Sequence, residues 1–222
     1  MSEPPRMIQR VTVYCSSSND LHPAYFDAAD HLGSLLAAEG WDLVYGGGSV
    51  GLMGRTAAAV REGDGHVTGI ITQRLRDAEQ MDDLNDENIV VETMRERKRL
   101  LEQRGDAFVI LPGGLGTLEE FFEILVGHLL GEHSKPIVIF NLADPDRPGE
   151  RFYDPLLAMF DHMIASRMAR RGVLSLFDVV HTPDEVIEAL RAAQSRPASG
   201  RGRLDLVPSP PAALRPTGDH AD

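Results

Sequence analysis

The sequence predicts an α/β fold, a mostly parallel sheet of about seven strands with helices on both faces. Two observations carry this prediction. Short β-branched runs alternate with stretches of helical apolar spacing about seven times along the chain. The short runs are also almost continuously apolar, which marks strands buried on both faces rather than on one.

The elements follow in order. A first strand at 11–15 (VTVYC) ends in the polar turn 16–20. Residues 23–39 place Tyr25, Phe26, Ala29, Leu32, Leu35 and Leu36 at helical spacing, and Gly40 supplies the stop. The second strand, 41–45, runs into a glycine-rich stretch at 46–54 that opens a helix lasting to about residue 61. A third strand at 67–72 is followed by a polar, acidic connection at 73–87 and a fourth strand at 88–92. An arginine-rich helix at 94–103 leads to the fifth strand at 107–111, whose helix runs from 117 to about 130. A sixth strand at 136–141 precedes a Pro/Asp-rich surface loop at 142–151. The helix at 153–168 shows Leu156, Leu157, Phe160, Met163 and Ile164 on one face. A short strand at 177–181 and a helix at 183–193 complete the pattern. One domain spanning 1–194 is expected, followed by a disordered tail at 195–222, where Pro, Ala, Arg and Ser recur without periodicity.

Bulk properties narrow the function. The chain of 222 residues is 42% hydrophobic and 25% charged, enough apolar mass for a real core. Its net charge of −12 argues against nucleic-acid binding, which needs a basic face. Cys15 is the only cysteine, so neither a disulfide framework nor a cysteine zinc site is expected. No apolar run approaches a membrane span and residues 1–10 lack a signal-peptide core, so a cytoplasmic protein is expected.

The stretch 109–123 carries the chemistry. A buried strand stops at Pro112, a turn contains Gly113, Gly114 and Gly116, and a helix opens near Thr117. Such a helix points unpaired amides and the positive end of its dipole at the turn, which suits a phosphate. Glu120 follows three residues later, a carboxylate beside the anion site. Thr117-Leu-Glu-Glu120 also fits a capping box, and the stretch alone favours the cap. Three glycines plus Pro112 are harder to explain without a ligand that approaches the backbone closely.

Other motifs weigh less. Gly46, Gly48 and Gly51 match the dinucleotide fingerprint, but they follow the second strand, and Thr72 and Gln73 stand where an acidic ribose ligand belongs. This loop reads as a second phosphate or dimer-contact loop. Arg95, Arg97, Lys98, Arg99 and Arg104 form a basic cluster, mostly a solvated face paired with neighbouring glutamates, though one of them can reach a ligand. No Walker lysine or nucleophile elbow occurs. His128 and His133 lie five apart, on different helical faces, so a shared metal is not expected.

Pro112-Gly-Gly-Leu-Gly-Thr-Leu-Glu-Glu120, Met94-Arg-Glu-Arg-Lys98 and the glycine loop 45–54 resemble motifs of the Lonely Guy family of cytokinin riboside 5'-monophosphate phosphoribohydrolases, with order and spacing agreeing from about 11 to 193. The resemblance implies a Rossmann-like, doubly wound homodimer without a cofactor. Such an enzyme hydrolyses the N-glycosidic bond of an N6-modified adenosine 5'-monophosphate and releases base and ribose 5-phosphate. It makes Arg97 and Glu120 the catalytic pair. It gives the substrate to Ser17, Gly47, Gly48, Met94, Lys98, Pro112, Gly113, Gly114, Gly116 and Thr117, and it turns the reading of Glu120 from cap to catalyst. The chain departs from the family pattern in having Ser16 where glycine is usual, Arg95 for a common histidine, Leu101 for methionine, and a longer loop at 143–150. Two alternatives stay open from sequence: a phosphoribohydrolase for AMP or another nucleoside monophosphate in salvage, and a non-catalytic binder of nucleotide or molybdenum cofactor.

Overall fold

The computed structural model describes residues 7–79 and 81–195. Seven parallel strands form one sheet in the order β4-β3-β2-β1-β5-β6-β7: β1 (Arg10–Tyr14), β2 (Asp42–Tyr45), β3 (Val67–Thr72), β4 (Glu87–Val91), β5 (Ala107–Ile110), β6 (Ile137–Phe140) and β7 (Asp178–Val180). Each strand is followed by a helix: α1 (Pro23–Ala38), α2 (Gly51–Glu62), α3 (Gln73–Glu79), α4 (Met94–Arg104), α5 (Leu115–Leu130), α6 (Asp154–Ala165) and α7 (Pro183–Ser195). The expected tail lies outside the described residues, apart from Ser195, which closes α7.

Side chains alternate across the sheet with the period of two that strands impose. Val11, Val13, Leu43, Tyr45 and Val109 point into a core shared with Leu32 and Leu36 of α1, Val60 of α2 and Leu190 of α7. Tyr14, Val44, Phe108 and Ile110 point the other way, to Leu101 of α4, Phe121 and Ile124 of α5 and Phe160 of α6. The strands are therefore buried on both faces, as their apolar runs require. The chain winds outward from β1 to β4, then returns through α4 to β5 beside β1. The crevice above the carboxyl ends of β1 and β5 is the point where the winding reverses, and ligands of such sheets settle there.

The structure differs from the sequence expectation at three elements. Residues 73–79 form α3 within what reads as a polar connection, because Thr72 Oγ1 accepts the Leu75 amide and starts a helix that needs no apolar stripe. Helix α5 starts two residues early: Gly114 is its N-cap and Thr117 lies buried in its first turn, so the Thr117–Glu120 capping box does not form. Helix α6 stops at Ala165, and a short 3-10 helix, Arg171–Ser175, leads to β7.

Candidate active site

Helix α5 opens at the switch point without a side-chain cap on its first amides. Gly114, Leu115, Gly116 and Thr117 of this first turn line a cavity of about 290 Å³, together with Cys15, Ser16, Ser17 and Ser18 from the β1–α1 loop, Met53 of α2, Arg97 of α4 and Glu120 of α5. An alanine Cβ at Gly114 or Gly116 would meet no protein atom within 4 Å, so these positions face open space rather than a crowded neighbour. Amides without a side-chain cap, a helix dipole and bare backbone together suit an anion.

Arg97 is 7% exposed and held at three sides. Its Nε donates to the carbonyl of Ile70 at 2.9 Å and Nη2 to that of Gly46 at 3.3 Å. Nη1 donates to Glu120 Oε1 at 3.3 Å and reaches Met94 Sδ at 3.6 Å. Four of the five guanidinium N–H groups are engaged among the described residues. The planar fork thus ties the ends of β2 and β3 to the carboxylate of α5 across the cavity. A Cβ at Gly46 would stand 2.3 Å from Arg97 Nη2, which is why a glycine is needed there. Glu120 also acts on the end of β1: burial pushes the Cys15 thiol and the Tyr14 phenol up, and the Glu120 charge adds to both.

The expected site residues separate into three groups. Arg97, Glu120, Ser17, Gly114, Gly116 and Thr117 line the cavity. Pro112 and Gly113, again with Gly114, line an adjoining cavity of about 250 Å³ bounded by Leu21, Tyr25 and Phe152. Gly47, Gly48, Met94 and Lys98 stand outside both linings. Gly47 packs against β3 at φ +79° and accepts the Asp82 amide at 3.0 Å, while Gly48 bridges to Met81. Lys98 pairs with Glu119 and, at 2.7 Å, with Glu123 on the outer side of α4 and α5.

The glycine loop, expected to be a second phosphate or dimer-contact loop, gives two of its amides to the chain itself. The Gly51 amide donates to Asn19 Oδ1 at 2.8 Å and the Leu52 amide to the Ser16 carbonyl at 2.9 Å, so the β1–α1 loop occupies the start of α2. Gly51 sits at φ +61°, and a Cβ there would lie 2.5 Å from the Ser17 backbone. Neither Met53 in the cavity wall nor Asn19 as the acceptor of the Gly51 amide was expected from the sequence. Met53 sits in the glycine loop that the motif comparison covers, whereas the Asn19 contact bridges two loops and leaves no local pattern. His133 lies beyond the end of α5 and folds back, bringing its ring centroid within 5.3 Å of that of His128. The two rings therefore meet although a continuous helix would set them on different faces; among the described residues no cluster of three potential ligands could hold a metal.

The probable cytokinin riboside 5'-monophosphate phosphoribohydrolase LOGL9 of Oryza sativa subsp. japonica is 46% identical over 176 residues, covering 79% of this chain and 74% of its own. The cytokinin riboside 5'-monophosphate phosphoribohydrolase LOG2 of Arabidopsis thaliana is 40% identical over 179 residues, covering 79% and 81%. The chain belongs to the Lonely Guy family. Residues 53–190 match the family model described as possible lysine decarboxylase. That description does not fit this Lonely Guy cavity. The only two lysines are Lys98, ion-paired outside, and Lys135, which donates to the Glu102 carbonyl at 2.5 Å, so pyridoxal chemistry has no lysine amine to use. Among solved structures, the molybdenum cofactor carrier protein of Chlamydomonas reinhardtii superposes with a TM-score of 0.63 at 20% identity over 86% of this chain and 100% of that one. The molybdenum cofactor binding protein of Rippkaea orientalis gives 0.62 at 22% identity over 84% and 97%. These two likenesses carry the fold alone.

Proposed function

We propose that the protein hydrolyses the N-glycosidic bond of N6-modified adenosine 5'-monophosphates, releasing the free base and ribose 5-phosphate. One observation carries the reading: the Arg97–Glu120 pair and the uncapped start of α5 line a single cavity. A 5'-phosphate on the α5 amides holds the nucleotide at one end. The glycosidic carbon then lies toward Glu120, whose carboxylate stabilises the oxocarbenium-like centre and orients the attacking water. The remaining donor of Arg97 serves the departing base, while its other bonds keep Glu120 in place. Binding energy from the phosphate, which does not react, supplies positioning.

The protein acts as a cytoplasmic homodimer in this reading, without nucleic acid or membrane as partner. Among the described residues no helix is long and apolar enough to cross a membrane. Phe122, Val126 and Leu130 recur every fourth residue along α5 and are 37%, 47% and 44% exposed, an apolar stripe suited to pairing with its own copy. Incubation with isopentenyladenosine monophosphate, and separately with AMP, tests the activity. Free base and ribose 5-phosphate are expected from the former, and the ratio between the two substrates reports base selectivity. Nucleotide binding without base release from either would turn the reading to a carrier.

A further inference from the structure

Tyr153 packs in the core shared with Phe121 and Phe160, outside both cavity linings and against the turn that follows β5. It precedes α6, its ring is 2% exposed, and its hydroxyl donates to the Leu111 carbonyl at 2.6 Å. The Gly113 amide faces the same phenolic oxygen, while burial keeps the phenol protonated. One hydroxyl therefore bonds the carbonyl before Pro112 and faces the amide after it. Pro112 has no amide of its own, and its carbonyl accepts the Ser16 amide at 3.1 Å. The turn is thus held from α6 on one side and from the β1–α1 loop on the other.

Tyr153 is itself fixed. Its amide donates to Asn141 Oδ1 at 2.7 Å, and Asn141 is 1% exposed. The Asn141 amide donates to Val180 at the end of β7 at 2.8 Å, and its Nδ2 donates to Asp154 Oδ1 at 2.9 Å. Asp154 in turn accepts the Arg151 amide at 2.8 Å, and these bonds lower its carboxyl, that from Asn141 most. A chain of hydrogen bonds therefore runs from the sheet edge through Asn141 to the Tyr153 amide. Nothing else in the fold requires a phenol there, since a phenylalanine ring would fill the same space.

We propose that Tyr153 is a positioning residue whose hydroxyl pins the turn 111–113 and so aims the first amides of α5 at the substrate's phosphate. The pin is needed because Gly113 and Gly114 leave this turn with little stiffness of its own. An anion cradle works only when its donors are set before the ligand arrives. This rests on the proposed function, in which those amides hold a 5'-phosphate.

The test is Tyr153→Phe in the full chain, which keeps the ring and removes only the hydroxyl. Steady-state kinetics would be measured with the wild-type's best nucleotide. Binding of AMP and of inorganic phosphate would be followed by calorimetry, adenosine would serve as a competitor, and Tm would be recorded. Loss of one buried hydrogen bond predicts a rise of about three- to tenfold in KM and in the Kd for AMP and phosphate together. The kcat should stay within about twofold, and adenosine, which has no phosphate, should bind unchanged. A lower Tm with unaltered KM and phosphate affinity would make the tyrosine merely structural and overturn the proposal, as would a fall in kcat alone. Wild-type protein that binds AMP without hydrolysing it would sink the hydrolase reading only, leaving calorimetry to decide on Tyr153. Wild-type protein that binds neither AMP nor phosphate would remove the cradle and the pin together.

Discussion

Arg97 spends its charge on geometry. Four of its five donors go to Ile70, Gly46, Glu120 and Met94, so its first task is to hold Glu120 rather than to grip a ligand. Gly46→Ala tests this while leaving both residues in the sequence, because the added Cβ meets only flexible side-chain ends, Arg97 Nη2 at 2.3 Å and Met53 Sδ at 3.1 Å. Turnover should fall by about a hundredfold from misplacement of the pair, with Tm nearly unchanged in a thermal melt. Arg97 and Glu120 were legible in the sequence because each sits in a recurring motif. The Tyr153 hydroxyl was not, since it bonds a carbonyl 42 residues away and leaves no local pattern.

Among the elements, α5 carries most of the proposed site, and its glycines sit in different surroundings. Gly113 is a packing glycine: a Cβ there would lie 2.2 Å from Thr117 Oγ1. Gly116 faces open space inside the helix. Gly113→Ala should therefore destabilise the protein by about 1–3 kcal/mol through overpacking. Gly116→Ala should stabilise it by up to about 1 kcal/mol through helix propensity, yet weaken nucleotide binding, because its methyl group occupies the cradle. Paired denaturation and AMP titration curves distinguish the two glycines by opposite signs in stability. The strands were legible as apolar runs. The start of α5 was misread because a threonine followed by Glu at the third position imitates a cap, whereas the real cap, Gly114, has no side chain to announce itself. Helix α3 was missed because a partly exposed, charged helix leaves no apolar period to detect.

At the scale of the whole molecule, the winding order decides the site. The sequence alternation predicts a parallel sheet but not that β5 returns beside β1, and this return brings the Ser16 loop, Arg97 and the α5 start to one crevice. The apolar stripe of α5 runs away from that crevice. If the proposed homodimer pairs through this stripe, Val126→Glu, at its centre, should convert it to a monomer in sedimentation experiments, because a buried charge in an apolar interface is strongly unfavourable. An unchanged sedimentation coefficient would place the pairing surface elsewhere. The stripe itself could be found in the sequence only once the fold had shown which face of α5 is covered by the sheet.

The most direct test of the account is base release by wild-type protein and by Glu120→Gln, measured beside AMP affinity. The account predicts that isopentenyladenosine monophosphate is split to free base and ribose 5-phosphate by the wild type. Glu120→Gln should lose about a hundred- to thousandfold in kcat while binding AMP within a few-fold of the wild type. Undiminished turnover in Glu120→Gln would contradict the central claim, because the carboxylate beside the phosphate cradle would then have no part in breaking the bond.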